Sequence, residues 1–165
     1  MSGFLSPRLL GNAQFGSVVS TRYKVSDVRD TLRKLGQPIY HAGARSYLVP
    51  YENPDLKKIA AVYPAAIVRS IRETGVVALY QKCTDLGCKV PFCPSSQWFE
   101  CPCHGAAFTL VGEAKAGPAP RGLDLFPVGV RKGRLLIDTR QGFPGLDVGI
   151  DVSGQRPKGP HCVGI

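Results

Sequence analysis

The spacing of apolar and polar residues along the chain predicts many short strands and few helices. Residues 18–25 alternate well enough for a short edge strand. In residues 26–36 apolar side chains return every three or four positions and a glycine closes the pattern, which predicts a helix. The unbroken apolar run Val76–Tyr80 predicts a buried strand that leads directly into a cysteine-rich region.

Further segments carry strand signals, namely apolar runs bounded by glycine or by a basic turn. They are residues 38–41, 45–51, 97–100, 105–111, 125–130 and 135–138. Residues 112–117 are predicted to be a loop. Residues 54–72 stay undecided, because Pro64 limits a first helical turn and the part after it suits a second helix or a strand. The whole pattern is mainly β, with short antiparallel strands.

Length and composition predict one main domain. A chain of 165 residues holds one sizeable core, and 19 glycines with 14 prolines indicate turns rather than long helices. We predict an N-terminal arm (residues 1–16), a central domain (residues 17–140) and a C-terminal tail (residues 141–165) that is ordered only if it packs on a neighbour. The arm is either a frayed terminus or a docking segment for a membrane partner. Its candidate docking residues are Phe4, Leu5, Leu9 and Leu10.

The net charge of +9 is spread along the chain without a block of like charges, so a nucleic-acid-binding tail is excluded. The charge indicates either a soluble basic surface or docking on an acidic protein or an anionic lipid face. No apolar stretch is long enough for a transmembrane helix, and the first residues lack the pattern of a signal peptide.

Residues 83–108 contain five of the six cysteines and one of the three histidines. Two motifs carry four of these cysteines and the histidine, and Cys93 lies between the motifs. The first box, residues 83–88, reads Cys-Thr-Asp-Leu-Gly-Cys, and the second box, residues 101–105, reads Cys-Pro-Cys-His-Gly. The two boxes flank a short predicted strand, so their loops can close around one metal centre. This clustering indicates a metal site before a disulfide framework.

The two boxes resemble those of the Rieske iron–sulfur family, which read Cys-x-His-x-Gly-Cys and Cys-x-Cys-His-Gly. The resemblance covers about residues 36–138, and the flanking sequence is similar to iron–sulfur subunits of bacterial quinol–cytochrome c reductases. It implies a Rieske-like fold of antiparallel sheets with an inserted cluster lobe, about residues 81–121. It also implies a [2Fe–2S] cluster held by two thiolates and two nitrogen donors.

By position, the resemblance assigns Cys83, Cys101 and His104 as cluster ligands and implies a disulfide between Cys88 and Cys103. A loop at residues 117–120, here called the proline loop, is expected to cover the cluster. Residues expected to surround the ligands are Leu86, Ala106, Phe108, Gly117, Pro118 and Pro120.

One ligand position departs from the family pattern, because residue 85 is aspartate where the family has histidine. Asp85 is expected to be an oxygen ligand of iron. The alternative is that it turns to solvent and that Cys93 completes the site. Two further alternatives are a zinc site, which the Cys-x-Cys spacing of the second box fits poorly, and a decayed site without metal.

The substitution is predicted to lower the reduction potential, because a carboxylate brings a negative charge that stabilises the oxidised cluster. Ala106 and Phe108 stand where high-potential family members have Ser and often Tyr, whose hydroxyls favour the reduced cluster. Rieske potentials span roughly −150 to +300 mV, and we expect this one at or below the low end.

The function predicted from these observations is one-electron transfer within a membrane-associated redox complex. Partners would be subunits of a quinol–cytochrome c reductase-like, hydrogenase or dehydrogenase assembly. Alternatives are a menaquinol-oxidising subunit, with quinol as a direct partner, and a structural subunit whose cluster is lost or replaced by zinc.

The location follows from the cysteines. Because disulfides are rare in the cytosol, the implied Cys88–Cys103 pair favours the outer face of a membrane, while the missing signal pattern keeps the cytoplasmic side open. Cys162 is expected to be a free thiol or, as the alternative, an intersubunit link.

Overall fold

The structure, a computed structural model, describes residues 16–164. The candidate docking residues Phe4, Leu5, Leu9 and Leu10 lie outside these described residues. In chain order the elements are β1 (Val18–Ser20), α1 (Val25–Leu35), β2 (Ile39–His41), β3 (Ser46–Pro50), α2 (Leu56–Val62), α3 (Ala65–Thr74), β4 (Val76–Tyr80), β5 (Phe92–Cys93), β6 (Trp98–Glu100), β7 (Ala107–Phe108), β8 (Ala114–Ala116), β9 (Leu125–Phe126), β10 (Val128–Arg131) and β11 (Arg134–Asp138).

Within residues 16–164 the strands form three antiparallel sheets, which confirms the predicted mainly β architecture with few short helices. Their strand orders are β1-β11-β10, β2-β3-β4-β9 and β5-β6-β7-β8. The third sheet is inserted in the chain between β4 and β9, which pair directly with each other. It therefore forms the predicted lobe on the sheet that contains β4.

Strand β4 separates two buried cores, because successive side chains of a strand point to opposite faces. Val77 and Leu79 belong to the core that continues into the lobe and contains Phe99. Ala78 and Tyr80 belong to the second core, which also holds Val28 of α1. Burial of an aliphatic or aromatic side chain contributes about 1.5–3 kcal/mol, so β4 couples the lobe to the rest of the domain.

The helices follow local signals in the sequence. Helix α1 occupies the predicted segment, and Gly36 ends it with a φ of 64° and an amide that donates to the Leu32 carbonyl. The undecided region from residue 54 resolves into two helices because Asp55 caps α2 and Pro64 precedes α3. None of the helices among residues 16–164 combines the length and apolar character needed to cross a bilayer.

Two secondary-structure predictions, one of a loop and one of a strand, were wrong in detail. Residues 112–117, predicted to be a loop, contain β8, which pairs with β7 at the edge of the lobe sheet. The predicted single strand over residues 125–130 divides at Pro127, which has no N–H to donate to a strand ladder. Strand β9 before it pairs with β4, whereas β10 after it pairs with β11 in another sheet.

The C-terminal tail packs on its own chain. Phe143 pairs with Leu125 next to β4, and the backbone N–H of Val152 donates to the Glu113 carboxylate at 2.8 Å. Cys162 forms a disulfide with Cys93 of β5, so the prediction of a free thiol was wrong. The sequence separation of 69 positions between these two cysteines explains why the sequence pattern did not reveal the bond.

Candidate metal centre

The first box is a turn that begins where β4 ends. The Cys83 N–H donates to the Cys88 carbonyl at 2.7 Å, and the Gly87 N–H donates to the Cys83 carbonyl at 2.9 Å. Gly87 has a φ of 83°, which L side chains rarely adopt. This glycine allows the chain to reverse within six residues and brings both cysteines of the box to one side.

The second box repeats the same turn. The Cys101 N–H donates to the Ala106 carbonyl at 2.7 Å, and the Gly105 N–H donates to the Cys101 carbonyl at 3.1 Å. In both boxes a cysteine opens the turn, a glycine with positive φ stands four positions later, and the closing carbonyl stands five positions later. The two loops are therefore equivalent hairpins that present side chains to each other.

A disulfide joins the two loops. It links Cys88 to Cys103, the pair that the resemblance implied, with their Cα atoms 6.7 Å apart. Of the six cysteines, all of which the structure describes, only Cys83 and Cys101 remain thiols, and both are buried. The disulfide also removes two of the thiols that the zinc alternative required.

Asp85 and His104 face each other across the gap between the loops. The Asp85 Oδ2 atom lies 3.4 Å from the His104 Nδ1 atom. The Asp85 side chain is 23% exposed, so it is turned to the imidazole rather than to solvent. Cys93, the alternative donor, is held in its disulfide with Cys162.

The four predicted ligands line one small, tightly closed pocket. The other residues of its wall are Leu86, Cys88, Cys103 and Ala106. Phe108, which is fully buried, and the proline loop are not among the residues that line it. Ala106 contributes a buried methyl group, whereas Leu86 is 73% exposed and forms an apolar lip beside the half-exposed His104.

The donor set fits an iron–sulfur centre. The pKa of the Cys83 thiol is raised to about 11, mainly by burial and also by the neighbouring Cys101 thiol, although the Asp85 N–H lowers it. Such a thiol stays protonated until a metal ion replaces its proton. Two buried thiols together with a carboxylate and an imidazole match the set of two sulfur and two harder donors in a Rieske centre.

The proline loop crosses directly over the second box. A Cβ atom built on Gly117 would lie 2.5 Å from the Ala106 Cα atom and 2.6 Å from the Gly105 carbonyl oxygen. At its other end, the Thr84 hydroxyl donates to the Arg121 carbonyl at 2.6 Å. The loop is therefore held against both boxes, although Pro118 and Pro120 are themselves exposed.

The sequence reasoning missed two buried carboxylates that hold the tail. Glu100 and Glu113 are each 1% exposed and accept hydrogen bonds from tail residues. The available signal was a glutamate at the end of the otherwise apolar strand β6, next to the second box. It had no visible partner, because that partner, His161, lies 61 residues away.

Comparison with known proteins identifies the class of the chain. Residues 44–127, half of its length, match the family model described as the Rieske [2Fe-2S] domain. The chain therefore belongs to the Rieske [2Fe–2S] family, which confirms the resemblance and the predicted [2Fe–2S] cofactor. The finer point, aspartate in a ligand position, stays a prediction.

The relatives and neighbours are iron–sulfur proteins. Cytochrome b6-f complex iron-sulfur subunit 2 of Trichormus variabilis is 32% identical over 111 residues, which covers 66% of this chain and 60% of that protein. Subunit 3 of the corresponding complex of Nostoc is 38% identical over 71 residues, 43% of this chain and 40% of that protein. The plasma membrane Rieske protein PetC3 of Synechocystis is a structural neighbour at 24% identity, with a TM-score of 0.48 over 72% of this chain and 97% of that one.

Proposed function

We propose that the chain is a one-electron carrier whose [2Fe–2S] cluster is held by Cys83, Cys101, Asp85 and His104. The observation that carries this proposal is the pairing of two buried thiols with an Asp85 carboxylate that lies 3.4 Å from the His104 Nδ1 atom. When bound, the cluster supplies reversible one-electron chemistry. The surrounding residues then determine its potential and its access to partners.

The protein side chains have separate roles in this proposal. The Cys83 and Cys101 thiols lose their protons to metal binding and hold iron from the buried side. His104, whose side chain is 54% exposed, forms the edge at which an electron donor or acceptor approaches. Leu86 beside it offers an apolar contact for that partner.

We propose a low reduction potential, at or below about −150 mV, the low end of the Rieske range. The Asp85 carboxylate adds negative charge directly at the centre, which disfavours the more negative reduced state. Ala106 and Phe108 supply no hydroxyl group, and both side chains are buried. Three positions therefore act in the same direction.

The partner and location proposals rest on the relatives and on the cysteines. The curated relatives are named as subunits of cytochrome b6-f complexes, and this chain matches about 60% of the length of the first of them. We propose a membrane-associated complex, with the domain on the extracytoplasmic side because both of its disulfides need an oxidising compartment. A second candidate function, oxidation of a low-potential quinol, is favoured by the exposed His104 imidazole.

Metal analysis with an anaerobic redox titration tests this function. We expect about two irons and two acid-labile sulfides per chain, an electron-spin resonance signal of the Rieske type, and a midpoint at or below about −150 mV. Zinc or no metal would contradict electron transfer, and a midpoint above about +100 mV, well inside the high-potential range, would contradict the low-potential assignment. As a matched pair, Cys101→Ser is expected to lose the cluster, whereas Cys93→Ser with Cys162→Ser retains it.

A further inference from the structure

The last described residues form a strap across the outer side of the lobe sheet. The strap, residues 159–164, begins with Gly159, where a Cβ atom would lie 2.7 Å from the Ser95 carbonyl oxygen. The Ser95 hydroxyl donates to the Pro160 carbonyl at 2.6 Å. The His161 ring packs on the Trp98 ring at 5.5 Å between centroids. The disulfide between Cys162 and Cys93 then fixes the strap to β5 covalently.

A single buried carboxylate receives the strap. Glu100 is 1% exposed, and one of its oxygens accepts the Cys162 and Val163 N–H groups at 2.7 and 3.0 Å. The other oxygen lies 2.7 Å from the His161 Nδ1 atom and accepts the Ser96 hydroxyl. Four donors therefore converge on this one carboxylate. A carboxylate with this many donors is held as the anion.

The position of Glu100 links the strap to the metal centre. It is the residue immediately before Cys101, so the strap holds the peptide that presents one of the two buried thiols. At its far end, the Gly164 carbonyl lies 3.4 Å from a Cβ atom built on Gly105, the residue after His104. The strap therefore lies beside the second box at both ends of its ligand pair, and among residues 16–164 no hydrogen bond or disulfide joins it to the first box.

We propose that the strap is a positioning element of the metal centre, with Glu100 as the positioning residue that acts through Cys101. The tether and the carboxylate hold the second box in its ligand-presenting form and exclude water from its outer side. The carboxylate also adds a second fixed negative charge near the centre, which lowers the potential in addition to Asp85. This inference rests on the proposed electron-transfer function.

Two variants separate the tether from the charge. Cys93→Ser with Cys162→Ser removes the covalent tether and keeps the Glu100 charge. Glu100→Gln removes the charge and turns an amide NH₂ toward strap N–H donors. We expect Glu100→Gln to raise the midpoint potential, because the loss of a nearby anion favours the reduced cluster, and the double serine variant to change the line shape of the resonance signal.

Glu113→Gln is the matched control. Glu113 is as buried as Glu100 and also accepts tail donors, at Val152 and Ser153, but it is twelve positions past Cys101 in sequence. We expect this variant to be less stable and to keep the wild-type midpoint and line shape. If the Glu100 and serine variants also keep the wild-type midpoint and line shape while only their unfolding temperatures fall, the strap is merely structural and the proposal is wrong.

A measurement on metal-free protein distinguishes this inference from the function on which it rests. We expect maleimide to label Cys101 several-fold faster in the double serine variant than in the wild type, with little change at Cys83, since the strap binds Glu100 next to Cys101. Equal acceleration at both thiols, or none, would overturn the positioning role even when the cluster is present. Absence of a [2Fe–2S] cluster in wild-type protein would refute the electron-transfer function, while the labelling result would still report on the strap.

Discussion

At the scale of single residues, the centre is distinguished by one substitution in an otherwise familiar pattern. The carboxylate of Asp85 occupies a position that the family fills with an imidazole, and it faces His104 at 3.4 Å. In the proposed ligand role, an anionic carboxylate at residue 85 differs from a neutral imidazole by one unit of charge. Few other single changes are expected to alter the potential as much.

The variant Asp85→His tests this role. We expect a higher midpoint potential, because removal of the anion stabilises the reduced state, and a resonance signal closer to that of an ordinary Rieske protein. The measurement is a redox titration followed by electron-spin resonance. An unchanged spectrum would mean that residue 85 is not bound to iron.

Sequence reasoning reached the residues of the two boxes because each box is local. The first box closes within six residues, and the turn glycines Gly87 and Gly105 are part of the motif itself. The same reasoning failed for Glu100, His161 and the Cys93–Cys162 disulfide. These groups meet only through tertiary packing, across separations of 61 and 69 residues, and no local periodicity encodes such a meeting.

At the scale of elements, the proline loop determines how closely the second box is covered. Gly117 has a φ of 80°, and an added Cβ atom would collide with the backbone of Gly105 and Ala106. A residue other than glycine in this conformation costs roughly 1–2 kcal/mol before any collision is counted. The loop can therefore stay in place only with glycine at this position.

The variant Gly117→Ala is expected to lose about 2 kcal/mol or more of stability and to retain its cluster for a shorter time in air, because the loop must move away from the second box. Gly129→Ala is the control, since nothing lies within 4 Å of a Cβ atom there and no left-handed backbone is involved. Urea unfolding and the decay of the visible absorption measure the two effects. Equal loss in both variants would contradict a specific role of the loop.

Element boundaries show a similar division between local and tertiary signals. The end of α1 at Gly36 and the buried strand Val76–Tyr80 follow from residues within those segments. Strand β8 was missed because its three residues carry little strand propensity and gain their place by pairing with β7. Pro127 itself indicates a break in the strand. The two resulting strands belong to different sheets, and this depends on tertiary pairing that the local sequence does not show.

At the scale of the whole molecule, the two disulfides have different tasks. The Cys88–Cys103 bond spans 15 residues and ties the two boxes, whereas the Cys93–Cys162 bond spans 69 residues and ties the tail to the lobe. A longer closed loop restricts the unfolded chain more, so loop-closure entropy predicts about 3 kcal/mol for the first bond and about 4 kcal/mol for the second.

Each disulfide can be removed by paired serine substitutions. The variant that loses more stability should therefore not be the variant that loses more of its cluster. We expect the Cys93/Cys162 variant to lose more free energy of unfolding in metal-free protein, and the Cys88/Cys103 variant to lose more of its cluster. Urea unfolding and iron content measure the two quantities. If one variant loses more in both measurements, these separate roles of the two disulfides are contradicted.

The partition of the six cysteines also constrains how the protein can mature. Four form bonds that require an oxidant, while the remaining pair, Cys83 and Cys101, must stay reduced to serve as the proposed cluster ligands. An oxidant that acts first can join that pair as well and leave no sulfur for iron. Loading with iron must therefore precede the oxidation that forms the other two disulfides, or must shield the pair from it. A polypeptide oxidised too early is expected to be well folded and permanently colourless.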